Sequence, residues 1–396
     1  MEVMSGYQNT DVGVIPSDWN VRSIKEIGPL QRGFDLLTTE IRSGLVPVVY
    51  SNGVMNYHDK FMVRGPGVIT GRSGTLGKVH FVESDFWPHN TSLWVTAFKG
   101  NNEKYIYYLY DYLNFNRFAS GSGVPTLNRN DAHEFRLGIP SLLNEQRLIA
   151  AVLSDVDSLL DSLDRLIAKK RDLKQAAMQK LLTGQMRLPG FNGDWGIRAL
   201  KDICWFQEGP GVRATQFKSS GIKLLNGTNI NCGVLNLETT TRFIAEYEGR
   251  GAYAHFLADE GDIVIASSGV TINRLHEKVA FVRAQDLPFC MNTSTIRFKP
   301  FAGKLSPNFL FQFLTGNDFK KMVGDMATGS AQLNFGPSHI QKIDLILPPL
   351  PEQIAISKVL AEMDEEIKVF ELRREKTALL KQGMMQELLT GRTRLV

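Results

Sequence analysis

Cysteine is scarce in this chain of 396 residues, and the three present, Cys204, Cys232 and Cys290, stand far apart. Their spacing fits neither a disulfide framework nor a metal site, so we expect free thiols in a reducing cytoplasm. The sequence also lacks any run approaching 18 apolar residues and has no basic-then-apolar start typical of a signal peptide. These absences predict a soluble intracellular protein.

Basic residues outnumber acidic residues only slightly, with 45 Lys and Arg against 41 Asp and Glu. The formal net charge is +4, with 43% hydrophobic and 22% charged residues, which is ordinary for a globular protein. The small positive balance favours an anionic partner only weakly. The length is sufficient for two or three domains with full cores.

Catalytic motifs are missing as well. The stretch from Gly71 to Lys78 resembles a phosphate-binding loop, but five residues separate Gly71 from Gly77 where four are needed. Val79 then stands where a Ser or Thr would bind Mg²⁺. The glycines between positions 65 and 71 also miss the dinucleotide-binding spacing. We therefore predict no nucleotide site here.

The dominant feature of the sequence is a segment that occurs twice. Residues 145–188 reappear 207 positions later as residues 352–395. A repeat at this distance indicates two similar halves rather than a solenoid. The two copies share Glu145 with Glu352, Gln146 with Gln353, Asp157 with Asp364, Lys174 with Lys381, and Leu-Leu-Thr-Gly at 181–184 with the same four residues at 388–391.

The repeated segment is predicted to be a long helix with a coiled-coil seam. Apolar residues recur at alternating spacings of three and four, each copy follows a proline, and each ends at a glycine. About 38 residues give a rod of roughly 57 Å. Two such rods in one chain most simply pack antiparallel, related by a pseudo-two-fold axis. The seam residues are Ile149, Leu153, Val156, Leu160, Leu163 and Ile167 in the first copy, and Ile356, Leu360, Met363, Ile367 and Phe370 in the second.

Two further patterns that could carry chemistry are weaker than they look. Asp364, Glu366 and Lys368 could imitate a nuclease metal site, but they lie on the seam-bearing helix and their counterparts at positions 157, 159 and 161 break the pattern. The two prolines at 348–349 lack the flanking residues with which amino-methyltransferases hold a flipped base. No catalytic or metal-binding set of residues remains.

The start of each half is repeated too, because residues 18–27 return as residues 194–203. In both halves, short β-rich runs alternate with Gly-rich turns and a helical pattern follows, which predicts an α+β unit with a mainly antiparallel sheet. We expect seven segments: an N-terminal arm (1–18), a first globular region (19–143), a first long helix (144–184), a linker (185–194), a second globular region (195–350), a second long helix (351–391) and a C-terminal tail (392–396).

Polar loops fall at matching places in the two globular regions. We match residues 72–75 with 267–269, and residues 90–92 with 292–294. Arg, Asn, Ser and Thr on turns can bind phosphates and base edges, although ordinary turn chemistry uses the same residues. The candidate DNA-binding residues are Arg72, Ser73, Thr75, Lys78, Asn90 and Thr91 in the first region, and Ser267, Ser268, Asn273, Arg274, Asn292 and Thr293 in the second.

Aromatic residues are dense in the helical pattern at 103–115 of the first region. They could stack on bases, but on a helix they point in all directions, which favours a mixed core and surface role. The tyrosines are Tyr105, Tyr107, Tyr108, Tyr110 and Tyr112.

Taken together, these features resemble the specificity (S) subunit of type I restriction–modification systems, and the resemblance covers nearly the whole chain. The second region departs from it at residues 267–270, where Ser-Ser-Gly-Val replaces Gly-Arg-Ser-Gly. The resemblance is carried by residues 13–19, by residues 71–74 with 86–91, by Ile139-Pro140 leading to Glu145-Gln146, and by residues 181–184 with 187–191.

The resemblance implies a function and a set of partners. Two target-recognition domains would each read one half of a split DNA site in the major groove, and the paired helices would set the spacer and dock two methyltransferase subunits. No cofactor is expected in this chain, which would have no catalysis of its own. S-adenosylmethionine would be bound by the methyltransferase subunits, which methylate adenine, and restriction subunits would add ATP- and Mg²⁺-dependent translocation and cleavage. Reading domains on a rigid rod would contact half-sites about one duplex turn apart.

Two other classes remain open from the sequence. A nuclease or methyltransferase with a cryptic site is opposed by the missing motifs. A non-catalytic coiled-coil adaptor that binds only protein would bind duplex DNA without steep salt dependence.

Overall fold

The computed structural model of the chain describes residues 5–120, 125–326 and 332–395. The chain divides into two compact units. Unit 1 comprises residues 1–165 and 371–396, and unit 2 comprises residues 166–370. Each long helix therefore contributes one half to each unit, so the chain must pass from unit 1 to unit 2 and back.

Unit 1 contains short strands and helices that precede the first long helix, α4 (Leu143–Leu182). Its helices are α1 (Ile24–Ile27), α2 (Glu103–Leu113) and α3 (Arg129–His133), with 3-10 turns at Thr38–Glu40 and Phe115–Phe118. Its strands are β1 (Tyr7–Thr10), β2 (Gly13–Pro16), β3 (Trp19–Ser23), β4 (Leu30–Arg32), β5 (Val46–Tyr50), β6 (Gly53–His58), β7 (Gly67–Gly71), β8 (Val79–Val82), β9 (Trp87–Pro88), β10 (Ser92–Val95), β11 (Ala119–Ser120), β12 (Thr126–Leu127) and β13 (Arg136–Pro140).

Unit 2 likewise contains short strands and helices before the second long helix, α10 (Leu350–Leu389). Its helices are α5 (Leu200–Ile203), α6 (Glu246–Arg250), α7 (Pro307–Thr315), α8 (Asn317–Met326) and α9 (Pro337–Ile340), with 3-10 turns at Ala214–Gln216, Gly227–Asn229, Ala254–Phe256, Ile272–Lys278 and Ala284–Asp286. Its strands are β14 (Gly196–Ala199), β15 (Cys204–Glu208), β16 (Ile222–Leu225), β17 (Ile230–Asn231), β18 (Val234–Leu235), β19 (Phe243–Ile244), β20 (Ile263–Ala266), β21 (Ser268–Val270), β22 (Val279–Phe281), β23 (Phe289–Met291), β24 (Thr295–Pro300), β25 (Leu333–Asn334) and β26 (Asp344–Leu347).

The two units share one sheet topology. In unit 1 an antiparallel sheet has the order β4-β10-β7-β8, and in unit 2 the order β15-β24-β20-β22 is its counterpart. A smaller sheet, β6-β5-β9 or β19-β16-β23, contains one parallel pair in each unit. The strand that follows the N-terminal hairpin of unit 1, β3, pairs with β13, and the first strand of unit 2, β14, pairs with β26 in the same way. The predicted α+β class and internal duplication are confirmed.

The N-terminal segment, expected to be an arm, forms a β-hairpin. Strands β1 and β2 pair antiparallel from Tyr7 opposite Pro16 to Thr10 opposite Gly13. The hydroxyl of Tyr7 donates to the carbonyl of Gly391 at 3.1 Å. The hairpin therefore lies against the end of α10 within unit 1.

The long helices end at Leu182 and Leu389, two residues before the glycines that the sequence marks. Gly184 and Gly391 both adopt φ near +74°, the left-handed conformation that terminates a helix and that glycine enters without strain. Helix α10 begins one residue before Pro351, which is tolerated because the first turn needs no intrahelical N–H donor. Both helices are 40 residues long.

Ion pairs establish the direction of the helix pairing. In unit 1, Lys381 lies 2.7 Å from Asp157 and Arg374 lies 2.9 Å from Asp164, so numbering rises along α4 as it falls along α10. In unit 2, Lys170 lies 2.6 Å from Glu366 and Lys174 lies 2.5 Å from Asp364, so numbering again rises along α4 as it falls along α10. The predicted antiparallel packing is therefore confirmed in each unit.

Each unit has one main hydrophobic core that includes parts of both long helices. In unit 1, Ile149 and Leu153 of α4 and Leu388 of α10 belong to the same core as the buried face of α2. In unit 2, Leu181 of α4 and Ile356 of α10 occupy the corresponding places. The helices are thus built into the globular cores at their ends.

The tyrosines of α2 divide between core and surface, as favoured above. Tyr105, Tyr108 and Tyr110 are fully buried, whereas Tyr112 is exposed. Burial excludes the first three as stacking partners for bases. Tyr108 instead donates to Asp157 at 2.8 Å, which ties α2 to α4.

Candidate nucleic-acid interface

Two candidate binding loops lie side by side in unit 1. The backbone N–H of Arg72, directly after β7, donates to the carbonyl of Thr91 at 2.8 Å. The carbonyl of Arg72 accepts from the N–H of Leu127 in β12, also at 2.8 Å. The Arg72 guanidinium donates to the carbonyl of Asn90 at 3.3 Å. The loop after β7 and the loop before β10 therefore form one polar surface.

Unit 2 repeats the same backbone arrangement with different side chains. The N–H of Ser267 donates to the carbonyl of Ser294 at 2.8 Å. The carbonyl of Ser267 accepts from the N–H of Phe335 at 3.0 Å. These bonds correspond to those of Arg72, so the proposed match of residues 72–75 with 267–269 agrees with the backbone at its first position, where Ser267 corresponds to Arg72.

A third loop, which the sequence analysis missed, joins the first two in each unit. The N–H of Ser51, at the end of β5, points to the hydroxyl of Thr91 at 3.4 Å. In unit 2 the N–H of Gly227, after β16, donates to the hydroxyl of Ser294 at 3.2 Å. The Asn-Gly dipeptides at 52–53 and 226–227 are turn signals that could have identified these loops.

The hydrogen bonds correct one of the proposed matches. The carbonyl of His89 accepts from the N–H of Ser92 at 2.9 Å, and the carbonyl of Asn292 accepts from the N–H of Thr295 at 2.9 Å. Asn292 therefore corresponds to His89, and the match of residues 90–92 with 292–294 is wrong by one residue. Similar side chains produced the error, whereas the backbone places Thr293 opposite Asn90.

The candidate residues differ in accessibility. Ser267 and Asn292 are buried, and Asn292 donates to the side chain of Asn226 at 2.8 Å. These two side chains lie behind the surface, so their assignment as DNA contacts is corrected to a role inside the loops. The exposed candidates are Lys78, Ser268, Asn273, Arg274 and Thr293, and the half-buried ones are Arg72, Ser73, Thr75, Asn90 and Thr91.

Some exposed side chains already have partners within the chain. Arg274 lies 2.7 Å from Glu277, and this carboxylate raises the pKa of the guanidinium. Ser268 donates to the side-chain oxygen of Asn334 at 2.7 Å. These contacts hold the side chains in defined positions on the surface of unit 2.

A charged pair beside the unit 1 loops was also missed. Asp35 follows β4, lies 2.7 Å from the guanidinium of Arg32, and accepts a hydrogen bond from the side chain of Asn90. The hydrogen bond from Asn90 and the Arg32 charge lower the pKa of Asp35, so its carboxylate is ionised at neutral pH. No repeat or motif in the sequence distinguishes these two residues.

The repeated Glu-Gln pairs anchor each long helix to the start of its unit. In unit 1, Glu145 accepts from the indole of Trp19 at 3.2 Å and from Nε of Arg394 at 2.5 Å. In unit 2, Glu352 accepts from Trp195 at 3.0 Å and from Nε of Arg187 at 2.6 Å. Both carboxylates are buried.

The glutamines of the same pairs act on the backbone. Gln146 donates to the carbonyl of Pro140 at 3.0 Å and accepts from the N–H of Asn102 at 2.9 Å. Gln353 donates to Pro348 at 2.9 Å and accepts from Ser306 at 2.8 Å. The repeated polar residues thus position the last strand and the main helix of each unit.

Comparison with known proteins identifies the family. A family model described as the type I restriction modification DNA specificity domain matches residues 16–169 and 192–378, more than half of the chain. The chain belongs to this family.

Similar proteins carry the same description. The specificity subunit of the type I restriction enzyme MjaVIII from Methanocaldococcus jannaschii is 27% identical over 285 residues, which cover 70% of this chain and 66%, just under two thirds, of that relative. The crystal structure of a type I restriction–modification S subunit from M. genitalium is 17% identical and covers 98% of both chains with a TM-score of 0.59. A chain from a structure concerned with complex assembly and conformational transition of the type I R-M system is 15% identical and covers 96% of this chain and 99% of that one, with a TM-score of 0.62. The two structures support the fold.

The seam of this specificity-family chain is apolar along its length. The first seam residues of each helix, Ile149 and Leu153 in α4 and Ile356 and Leu360 in α10, also belong to the hydrophobic cores of the units. The heptad pattern alone did not indicate this second role. Ile149, Leu153, Leu163, Ile167, Ile356, Leu360 and Ile367 are buried, and Val156, Leu160, Met363 and Phe370 are half-buried.

The acidic residues of α10 serve the helix pairing. Asp364 lies 2.5 Å from Lys174 and Glu366 lies 2.6 Å from Lys170, so two carboxylates of the nuclease-like pattern pair with cations. Within residues 5–120, 125–326 and 332–395, no three His, Cys, Asp or Glu side chains are placed to share a metal ion. In the same part of the chain, every helix is too short or too polar to cross a membrane.

Proposed function

We propose that this chain is a DNA-recognition subunit in which each unit reads one half of a bipartite site. The observation that carries the proposal is the duplicated cluster of three loops, held by equivalent backbone hydrogen bonds but carrying different side chains. A fixed backbone positions the loops, whereas side chains supply donors and acceptors for phosphates and base edges. Two clusters with different side chains fit two different half-sites.

The long helices are proposed to set the unread spacer and to dock two methyltransferase subunits. Their ends are integrated into the cores of the units, and repeated buried anchors fix both ends. Such a connection resists bending better than a flexible linker. The structure concerned with complex assembly of the type I R-M system supports the expectation of protein partners.

We propose that the chemistry is supplied by those partners. The methyltransferase subunits would hold S-adenosylmethionine and methylate adenine, and restriction subunits would use ATP and Mg²⁺. This chain would contribute recognition and no catalytic step.

The proposal is tested by mapping methylated adenines in a genome that carries the gene with its partner subunits. The map is repeated with residues 19–143 replaced by the equivalent region of another family member. We expect a bipartite motif of which one half changes and the other is retained. A contiguous motif, or a motif unaffected by the exchange, would contradict two independent readers on one scaffold.

A binding measurement distinguishes the DNA-recognition subunit from an adaptor that binds only protein. A DNA-recognition subunit in complex with its methyltransferase partners should lose duplex affinity steeply as salt rises, since phosphate contacts release counterions. An adaptor that contacts only protein would show weak binding with little salt dependence.

A further inference from the structure

The segment that carries Arg32 and Asp35 is fixed against the reading loops of unit 1. The N–H of Gly33 donates to the carbonyl of Ser92 at 3.0 Å, and the N–H of Phe34 donates to the carbonyl of Pro88 at 2.8 Å. A Cβ at Gly33 would lie 2.2 Å from the carbonyl oxygen of His89, so glycine is required for this approach. The position of Asp35 is therefore set by the backbone.

The Asp35 carboxylate is accessible and only partly engaged. Its side chain is 66% exposed, and that of Arg32 is 47% exposed. Both Arg32 and Asn90 bond to its Oδ1 atom. Among the described residues, no hydrogen bond is made to Oδ2. An ionised acceptor with a free oxygen thus sits beside the loops that contain Arg72 and Asn90.

A free carboxylate on this surface is selective in what it can contact. Phosphate groups of DNA repel it, and the acceptor atoms of guanine and thymine in the major groove do the same. The donors offered by the major groove are the N4 amino group of cytosine and the N6 amino group of adenine. We propose that Asp35 is a specificity-determining residue of unit 1 that accepts a hydrogen bond from cytosine N4 or adenine N6 in its half-site.

Arg32 and Asn90 are positioning residues in this arrangement. Both bond to Oδ1 and leave Oδ2 directed away from them. The guanidinium also offsets the repulsion between the carboxylate and the nearby phosphates. Their contacts restrict the side-chain torsions of Asp35, which sharpens discrimination between base edges.

Unit 2 has no carboxylate at the position that corresponds to Asp35. The N–H of Gly209 donates to the carbonyl of Thr295 at 3.1 Å, which makes Gly209 the counterpart of Gly33. Two residues further along, Gly211 stands where unit 1 has Asp35. The effect of Asp35 is therefore confined to one half-site. This inference rests on the proposed DNA-reading function.

The test is the methylation map of the complete complex with Asp35→Asn. Asparagine has nearly the same shape and can keep one oxygen toward Arg32 and Asn90 while its amide donor takes the place of Oδ2. At one position in one half of the motif, we expect cytosine to change toward a base with an acceptor for this donor, with discrimination altered at least about fivefold. If that position is adenine, asparagine can retain it through N6 and N7, and Asp35→Ala then supplies the loss of discrimination. The other half should be unchanged.

Glu83→Gln is the matched control. Glu83 is an exposed carboxylate of unit 1 that follows β8 at the end of the sheet opposite the reading loops. The Glu83→Gln substitution removes the same charge as Asp35→Asn and should leave the motif intact. Asp35→Ala should relax the same position without creating a new preference, and thermal melting of both Asp35 variants checks that they fold.

The outcomes separate the two proposals. A bipartite wild-type motif that is unchanged by both Asp35 variants overturns the role of Asp35 and leaves DNA reading intact. A change of equal size in Glu83→Gln also overturns it, because charge alone would then explain the result. A wild-type complex with a contiguous motif refutes two independent readers, and one with no sequence motif refutes DNA reading itself.

Discussion

Arg394 donates to the carboxylate of Glu145 from Nε at 2.5 Å and from Nη2 at 2.9 Å, across 249 positions of sequence. Arg187 makes the same contact with Glu352. In unit 2 the arginine is only eight positions from Trp195, whereas in unit 1 it arrives from the far end of the chain. The last residues of the chain therefore complete the first unit.

Replacing Arg394 by alanine should destabilise unit 1. Glu145 is 2% exposed and would retain only the bond from Trp19, so we expect a loss of about 3 kcal/mol, as for a broken buried ion pair. Urea denaturation, monitored by hydrogen exchange in unit 1, measures this loss in the free energy of unfolding. Arg392→Ala is the control, because Arg392 is 60% exposed and its partner Glu387 is 3.6 Å away. Equal losses in the two variants would contradict the anchor.

A second contact of Arg394, whose guanidinium lies 2.8 Å from the carboxylate of Asp18, should make unit 1 sensitive to acid. Hydrogen bonding to Arg394 lowers the pKa of Asp18 below its usual 3.8. A lowered folded pKa contributes stability above the unfolded value and loses it as pH falls through the folded one. Between pH 5 and pH 3 the wild type should lose more stability than Asp18→Asn, measured by urea denaturation at each pH. Parallel losses would exclude this contribution.

A charge exchange should be tolerated on the helices of unit 2. Lys174→Asp places two carboxylates together at Asp364 and should cost about 1 kcal/mol. Adding Asp364→Lys should recover most of that stability if the pair interacts directly. A double-mutant cycle from thermal unfolding gives the coupling, and a value of zero would show that the contact contributes nothing.

Gly33→Ala should impair recognition by one unit. The new Cβ would meet the backbone at His89 and force the segments apart, with a cost of about 1–3 kcal/mol. The half-site read by unit 1 should become degenerate in the methylation map. Gly196→Ala, where no atom lies within 4 Å of the added carbon, should leave both halves unchanged. An intact motif in Gly33→Ala would show that the loops tolerate the shift.

Shortening both long helices should shorten the unread spacer. Deleting residues 165–171 together with 367–373 keeps the Asp157–Lys381 and Asp164–Arg374 ion pairs and the apolar seam in register. It removes the Lys170–Glu366 pair and shortens the helix pair by about 10.5 Å. We expect a spacer shorter by about three base pairs at 3.4 Å each. A site with its spacer unchanged in the methylation map would contradict the ruler hypothesis.

Much of this architecture was accessible from sequence because its signals are local or repeated. The heptad spacing predicts the helices, and Gly184 and Gly391 mark their ends since glycine readily adopts positive φ. Duplication predicts two similar units, and identical residues such as Glu145 and Glu352 prove to be the anchors. Each of these features depends on periodicity or on residue type, which can be read along the chain.

The candidate DNA-binding surface was predictable only in part. The loops after β7 and β20 were found from their polar residues, but the burial of Ser267 and Asn292 arises only in the folded unit, and their residue type does not indicate it. The one-residue error at Asn292 arose because side-chain similarity and backbone register disagree. No pattern in the sequence connects Asp35 to Asn90, 55 positions away.

By itself, the sequence determined the duplicated plan, the long helices and their seam, because hydrophobic periodicity and helix-terminating residues act over neighbouring turns. Only the tertiary structure decided which residues share a surface. It brings Arg394 to Glu145 and Asp35 to Asn90, contacts that depend on how strands pair and cores close. Loop side chains have no periodicity, and their partners are set by distant backbone hydrogen bonds.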